Sequence, residues 1–253
     1  MALDEALLEH VQMGASLPTL RLFAWEPPCL SLGQAQPFAD VDSARLQERG
    51  WQVVRRLTGG RAILHTDELT YSVTAPAIEP NVTGSVLESY NRLAQALLSA
   101  AVSLGLPVEL NDHKSTSGNG HNPVCFEAPS TYELTVAGKK LIGSAQARRN
   151  AGVLQHGSLP LTGDLTRICQ ALDYRDESAR RLASDRLLKR AVTVETALGR
   201  RVDWDAAAHA FIQGFETALG LCLEPGELSD SEKTRARQLI TEKYAHPSWT
   251  ERV

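Results

Sequence analysis

Two adjacent glycines, Gly59 and Gly60, stand between two strand-like apolar runs, residues 51–54 and 69–73, and restrict the fold more than any other feature of the chain. A glycine pair between strands lets the backbone turn tightly and approach a ligand without side-chain obstruction. The full stretch reads Arg55-Arg56-Leu57-Thr58-Gly59-Gly60-Arg61-Ala62-Ile63-Leu64-His65. Its arginines can pair with a carboxylate or phosphate, and His65 lies close by. That layout suits a site for a charged, elongated small molecule. It suits equally a hairpin turn carrying surface arginines.

Strand-like runs rich in β-branched and aromatic residues fall at 20–25, 29–32, 51–57, 62–65, 69–75, 132–136, 140–147 and 153–161. Ala137-Gly138 between two of them reads as a hairpin turn. Helical patterns intervene at 1–14, 41–49 and 85–104, the last with Ser85 as N-cap and Leu93, Leu97, Ala100, Ala101 and Leu104 near a 3.6 period. After residue 164 strand signals stop, and helices are predicted at 164–172, 177–190, 193–198, 204–219 and 231–244. The expected fold class is α/β (α+β), with mixed β-sheet layers flanked by helices. It forms one domain over 1–253: an α/β core at 1–163 and a helical C-terminal segment at 164–253. The chain length of 253 residues, 43% of them hydrophobic, suffices for a sizeable core.

Net charge is −4 and no basic block occurs, which speaks against nucleic-acid binding. The first 14 residues carry Asp4, Glu5 and Glu9 among leucines and read as an amphipathic helix rather than a leader peptide. No run reaches transmembrane length, so no membrane partner is expected. The four cysteines, Cys29, Cys125, Cys169 and Cys222, form no C-x-x-C pair and no zinc-spaced cluster, so no metal is expected. Their sparse use suits a reducing cytoplasm. Cys29, Cys169 and Cys222 sit in apolar surroundings and read as buried. Cys125 ends a polar, glycine-bearing loop, residues 111–123. On position alone it is a loop cysteine of no consequence or a nucleophile at the mouth of a site.

A second segment adds Cys125-Phe126, then Lys140-Leu141-Ile142-Gly143-Ser144-Ala145-Gln146 and Gln155-His156-Gly157-Ser158. With 55–62 and Glu68-Leu69-Thr70-Tyr71-Ser72-Val73, these motifs resemble the lipoate–protein ligase and octanoyltransferase superfamily, related to biotin–protein ligases. The likeness is greatest to its cysteine-dependent octanoyltransferases of the LipM type. It extends to Pro27-Pro28-Cys29-Leu30-Ser31-Leu32-Gly33 and to Lys243-Tyr244-Ala245 with Trp249, and so covers nearly the whole chain.

The resemblance implies a biotin/lipoate-ligase-like catalytic fold and transfer of octanoyl from acyl carrier protein to the lipoyl-domain lysine of an acceptor such as glycine cleavage H protein. Cys125 would be the nucleophile, forming an acyl-enzyme thioester. An ordinary thiol titrates near roughly 8.5, so a neighbouring cation is useful. Lys140 matches the family's lysine, and its ammonium would also stabilise the oxyanion. Alternation along a strand puts Lys139 on the opposite face, as a solvated lysine. Gly143 and Ser144 would bring backbone N–H groups to the acyl carbonyl, or form a β-bulge. Gly59 and Gly60 would line the acyl tunnel. Arg56, His65, His156 and Gly157 complete the expected substrate-binding set. His156 reads as orienting the substrate or as a structural histidine, and Arg55 and Arg56 as substrate ligands or loop braces.

No cofactor is expected, because a thioester is already activated. An alternative is an ATP-dependent lipoate–protein ligase acting through lipoyl-AMP. Against it stand Arg61, where ligases commonly carry a third glycine, and the roughly 90 residues after Asp164, which are fewer than the usual ~100–150 of a separate domain. Lipoyl amidotransfer between proteins and a non-catalytic acyl-domain binding protein are further alternatives. The joint presence of Cys125 and Lys140 speaks against the binder.

Overall fold

The computed structural model describes residues 1–111, 123–124 and 133–253. The proposed nucleophile, Cys125, lies outside the described residues, as does Tyr132 at the start of a predicted strand.

The central sheet is antiparallel, in the order β1 (Thr19–Phe23), β5 (Glu68–Pro76), β10 (Gly152–Pro160), β9 (Gly143–Arg149). Its middle strand β5 alternates along Leu69-Thr70-Tyr71-Ser72-Val73-Thr74-Ala75, and every one of these residues is buried. Period-2 alternation sends apolar and hydroxyl side chains to opposite faces. The apolar set joins the main core, where Tyr71 meets Phe211 and Phe215 at centroid distances of 5.9 and 6.2 Å. Those phenylalanines lie on α6 (Trp204–Leu219), which crosses α3 (Val86–Ser103). The crossing is close because a Cβ at Gly214 would meet Ala96 O and Ala100 N at 2.7 Å. Ser85 caps α3 in a reciprocal pair with Glu88.

The hydroxyl face of β5 looks the other way, toward α1 (Ala2–Gln12) and a small three-stranded sheet. In that sheet β2 (Cys29–Leu32) runs parallel to β3 (Gln52–Arg55) and antiparallel to β4 (Ile63–His65), with α2 (Ser43–Glu48) bridging β2 and β3 in sequence. A third sheet is the meander β6 (Val108–Asn111), β7 (Glu133–Val136), β8 (Lys139–Lys140). Ala137 and Gly138, both with positive φ (48° and 73°), make the turn between β7 and β8.

After residue 164 the described residues are helical: α4 (Glu177–Arg190), α5 (Val194–Leu198), α6, α7 (Asp230–Leu239) and α8 (Pro247–Thr250). These helices share cores with the strands. Phe211 and Phe215 belong to the main cluster, and Ala183 and Leu187 pack with β2 and β4 residues. Helix α7 lies on α1, joined by Arg235–Glu9 at 2.5 Å and, just beyond its end, by Lys243–Glu5 at 2.7 Å.

Several expectations are corrected. The run 140–147 is two strands in different sheets, because the buried Leu141 and Ile142 carry the chain from the meander to the central sheet. Strand β6 had no apolar run to announce it. The helix expected at 164–172 is a short 3₁₀ segment, Leu165–Gln170, capped by Asp164. The helix expected through 244 widens into a π turn at Ile240–Tyr244. Cys222 is exposed, because it follows the Gly220 cap of α6 in irregular chain. Among the described residues no helix is long and apolar enough to cross a membrane.

Candidate active site

Six of the residues expected from sequence converge. Arg56, His65, Gly143, Ser144, His156 and Gly157 line one small, partly open chamber between the central and small sheets, together with Ser31, Trp25, Thr70 and Ser158. Strand pairing explains the convergence. His156 pairs with Ser72 and Ser158 with Thr70 across β5–β10, so both point from the hydroxyl face. His65 ends β4 opposite Cys29 of β2, two residue pairs from Ser31, which therefore shares its face.

Each histidine is enclosed in polar contacts. His65 Nδ1 lies 2.5 Å from Glu68 Oε1, and its Nε2 lies 2.7 Å from Ser31 Oγ. Its ring stacks on Trp25 at 4.2 Å and 11°. Thr70 and Ser158 hydroxyls also donate to Glu68 Oε1, at 2.5 and 3.0 Å. His156 Nε2 lies 2.6 Å from Thr58 Oγ1, and its Nδ1 lies 3.6 Å from Asp4 Oδ2. Burial pushes the His156 imidazole below its ordinary value, although Asp4 works against that shift. Burial would raise the Asp4 carboxyl, yet Arg21 at 2.6 Å, with the N-terminal ammonium and His156, holds it well below the usual carboxylate range.

Arg56 and Arg55 are directed at backbone rather than into open space. Arg56 donates to Ser31 O (2.9 Å), Gly59 O (2.9 Å) and Arg61 O (2.7 Å). Arg55 is fully buried and donates to carbonyls of Gly33, Gln36 and Thr250. The expectation that these arginines face a ligand anion therefore gives way to the alternative of loop braces, since a turn of adjacent glycines leaves carbonyl groups that need donors.

Gly59 and Gly60 are exposed and do not line the chamber. Gly60 has φ 90°, and its carbonyl presses on Gly33, where an added Cβ would lie 1.9 Å from Gly60 O. At Gly157 a Cβ would meet Gly143 O at 2.5 Å and Ser144 Oγ at 2.6 Å, so glycine there lets β9 and β10 approach. Ser144 Oγ lies 2.7 Å from the Tyr71 hydroxyl, which accepts from Gln155 Nε2 at 3.0 Å. Lys140 is buried, outside the chamber lining, and its ammonium lies 2.7 Å from Glu133 Oε1. Lys139 is half-buried and donates to Leu188 O at 2.8 Å. Cys29, by contrast with a nucleophile, has its thiol pushed up to about 12 by burial.

Sequence reasoning missed Glu68, Asp4, Ser31 and Thr58 as members of this network. The apolar–hydroxyl alternation of β5 was a usable signal for its polar face. Asp4, on an amphipathic helix, had none.

Beside the chamber a groove of about 850 Å³ is lined by Phe23, Trp25, Trp51, Val53 and Ile240, and it shares Trp25 with the chamber.

The lipoyl protein ligase A/B catalytic domain model matches residues 1–216. The octanoyltransferase LipM of Moorella thermoacetica is 41% identical over 254 residues, covering 100% of this chain and 93% of that protein. That of Symbiobacterium thermophilum is 38% identical, with 100% and 93% covered. Among solved structures, the bipartite lipoate protein ligase of Thermoplasma acidophilum superimposes with a TM-score of 0.82 at 23% identity, over 99% of this chain and 89% of that one. A lipoate–protein ligase A bound with ATP gives 0.79 at 23% identity, over 99% and 92%. These structural matches speak for the fold.

Proposed function

The chain belongs to the lipoyl protein ligase A/B catalytic-domain family and is an octanoyltransferase of lipoate biosynthesis, and we propose that it moves octanoyl from acyl carrier protein to a lipoyl-domain lysine through a thioester on Cys125. The acceptor is a lipoyl-domain protein, and glycine cleavage H protein is the one proposed. The site is proposed to be cytoplasmic, where a catalytic thiol stays reduced. Residues 1–253 are taken as one catalytic unit.

The observation that carries this reading is a groove of ligand size beside the chamber, the two sharing Met1 and Trp25 in their linings. An acyl thioester pairs a carbonyl head with an aliphatic tail, and the groove offers Phe23, Trp25, Trp51, Val53 and Ile240 to such a tail. A groove of about 850 Å³ is within the size range of small-ligand sites, roughly 300–1,000 Å³. The Cys125 thiolate would attack the carrier thioester carbonyl, forming a tetrahedral oxyanion that expels the carrier thiolate. The acceptor lysine amine then attacks the acyl-cysteine, expels the Cys125 thiolate and loses a proton. Gly143 and Ser144 are proposed to lie along the carbonyl, and Lys140 to raise the thiolate fraction and face the oxyanion. The arginine of the chamber lining is engaged by backbone carbonyls. That engagement favours thioester exchange over adenylate chemistry, which needs cations for phosphate.

The test is intact-mass spectrometry after mixing the protein with octanoyl-loaded carrier and no ATP. An octanoyl adduct that hydroxylamine removes, and that Cys125→Ala lacks, is expected. Full ATP-independent transfer by Cys125→Ala would overturn the covalent route. Robust modification of an acceptor from free lipoate plus ATP would assign the chain to the ligase reaction instead.

A further inference from the structure

We propose that Arg56 fixes the tautomers of both chamber histidines, so that His65 and His156 each carry their proton on Nδ1 and present an occupied Nε2. The guanidinium touches two hydroxyls. Arg56 Nη1 lies 3.2 Å from Ser31 Oγ, and Arg56 Nε lies 3.2 Å from Thr58 Oγ1. A guanidinium can only donate, so each hydroxyl accepts from Arg56. Each hydroxyl keeps one proton to give. For Ser31 the neighbour is His65 Nε2 at 2.7 Å, and for Thr58 it is His156 Nε2 at 2.6 Å.

The far sides of the rings close the argument. Glu68 Oε1 stands 2.5 Å from His65 Nδ1 and already accepts from Thr70 and Ser158, so it acts there as an acceptor. Asp4 Oδ2 stands 3.6 Å from His156 Nδ1, a charge contact longer than a hydrogen bond, and neither buried atom has a hydrogen-bond partner among the described residues. A carboxylate facing Nδ1 calls for a proton on that nitrogen. Two chains thus leave one arginine through hydroxyl and imidazole to carboxylate, the last link a hydrogen bond at Glu68 and a longer charge contact at Asp4. One runs through Ser31 and His65 to Glu68, the other through Thr58 and His156 to Asp4. A positive charge on the His156 ring would also be opposed by burial and by the Arg56 cation.

The consequence for acyl transfer rests on the function proposed above, whereas the tautomers do not. With both Nε2 atoms engaged, neither imidazole is free to take the proton of the incoming lysine amine. The histidines hold the chamber's shape and dipoles, and Arg56 is a positioning residue acting through them.

The experiment is ¹⁵N imidazole spectroscopy of the full chain at pH 8, with the two resonance pairs assigned by His65→Gln and His156→Gln. Both residues are expected to show a protonated Nδ1 and a bare Nε2. Ser31→Ala should shift the His65 Nε2 resonance and leave His156 in place. Thr58→Ala should do the converse, and Arg56→Lys should shift both. An Nε2–H tautomer or an imidazolium at either residue in the unaltered protein would overturn the proposal, as would hydroxyl variants that move neither ring. If Arg56→Lys fails to fold, the unaltered protein and the two hydroxyl variants still decide it. No readout depends on acyl transfer, so loss of the transferase assignment and loss of this inference are separable.

Discussion

The guanidinium of Arg55 donates two hydrogen bonds, from Nε at 3.0 Å and Nη2 at 2.8 Å, to the carbonyl of Thr250, which lies 195 residues further along the chain. The indole of Trp249 returns one to Arg55 O at 2.8 Å. Arg55 thus ties the C-terminal helix α8 to the end of β3, immediately before the Gly59-Gly60 turn. Arg55→Ala strands the buried carbonyls of Gln36 and Thr250 without their donor and, among the described residues, leaves Gly33 O only the Gln36 N–H. An unsatisfied buried group costs about 1–3 kcal/mol. The substitution should lower Tm by roughly 2–12 °C, taking about 2–4 °C per kcal/mol for a chain of this size. An unchanged Tm by calorimetry would mean the tail is not held this way.

Lys140 and Lys139 should behave differently, for a reason sharper than strand alternation. Lys140 is 6% exposed and paired to Glu133, so Lys140→Ala removes a buried cation and its ion pair with a half-buried carboxylate. Removing one oxyanion-stabilising group typically lowers kcat by ~10²–10³. Lys140→Ala should lose at least about that much in acyl transfer and should also cost roughly 1–3 kcal/mol in stability. Lys139→Ala should cost little of either. Glu133→Gln separates the two roles, because it keeps the lysine and removes its ion-pair partner. Steady-state kinetics beside urea unfolding would read both. Equal activity losses at 139 and 140 would sink the assignment of Lys140.

The glycines divide into positions that need a bare backbone and positions that do not. At Gly157 a Cβ would collide with Gly143 O, Ser144 Oγ and Tyr71 Cε1, all within 2.7 Å. Gly157→Ala must part β9 from β10, so it should cost about 1–3 kcal/mol, as overpacking does, and distort the chamber. Gly60→Ala is strained by its φ of 90°. Gly59→Ala meets nothing within 4 Å and should leave the unfolding midpoint where it is. A Gly157→Ala protein as stable as its parent would show that the strands do not approach as described.

Legibility of the sequence followed local chemistry. Helices α4 and α6 run over 177–190 and 204–219 as expected, because Asp176 and Asp203 cap their first turns and Gly220 ends the second. Strand β2 matches at 29–32 for a similar reason, with prolines before it and Gly33 after it. The break at Leu141-Ile142 was hidden, since a chain changing sheets stays apolar throughout. The chamber was half visible. Its glycines and histidines stand in motifs, but their partners come from distant positions: Ser31 meets His65 34 residues away, and Thr58 meets His156 98 residues away. Only the fold brings such pairs together. Asp4 shows the limit best, because an acid in the first turn of an amphipathic helix ordinarily faces water, yet this one is fully buried against Arg21.

That burial gives the protein an acid limb that starts early. His156 is held below its ordinary value of 6.5 by burial, with Arg56 and the N-terminal ammonium adding to the shift and Asp4 opposing it. Above pH 6.5 both folded and unfolded chains carry this imidazole neutral. As pH falls below 6.5 the unfolded chain binds the proton first, so folding free energy is lost until the folded value is passed. Each unit of separation is worth about 1.4 kcal/mol. Asp4 adds a second loss at lower pH, since its folded carboxyl lies well below 3.8 and its contribution disappears as pH falls through and beneath that value. Urea unfolding between pH 7.5 and 3 should therefore show stability declining from about pH 6.5, before carboxylates alone would matter. His156→Gln, which cannot titrate, should lower stability overall yet flatten that decline. Arg21→Gln should leave the onset near pH 6.5 and move the carboxylate limb upward, because Asp4 loses its strongest cation. A decline with the same slope in His156→Gln as in its parent would remove His156 as its source.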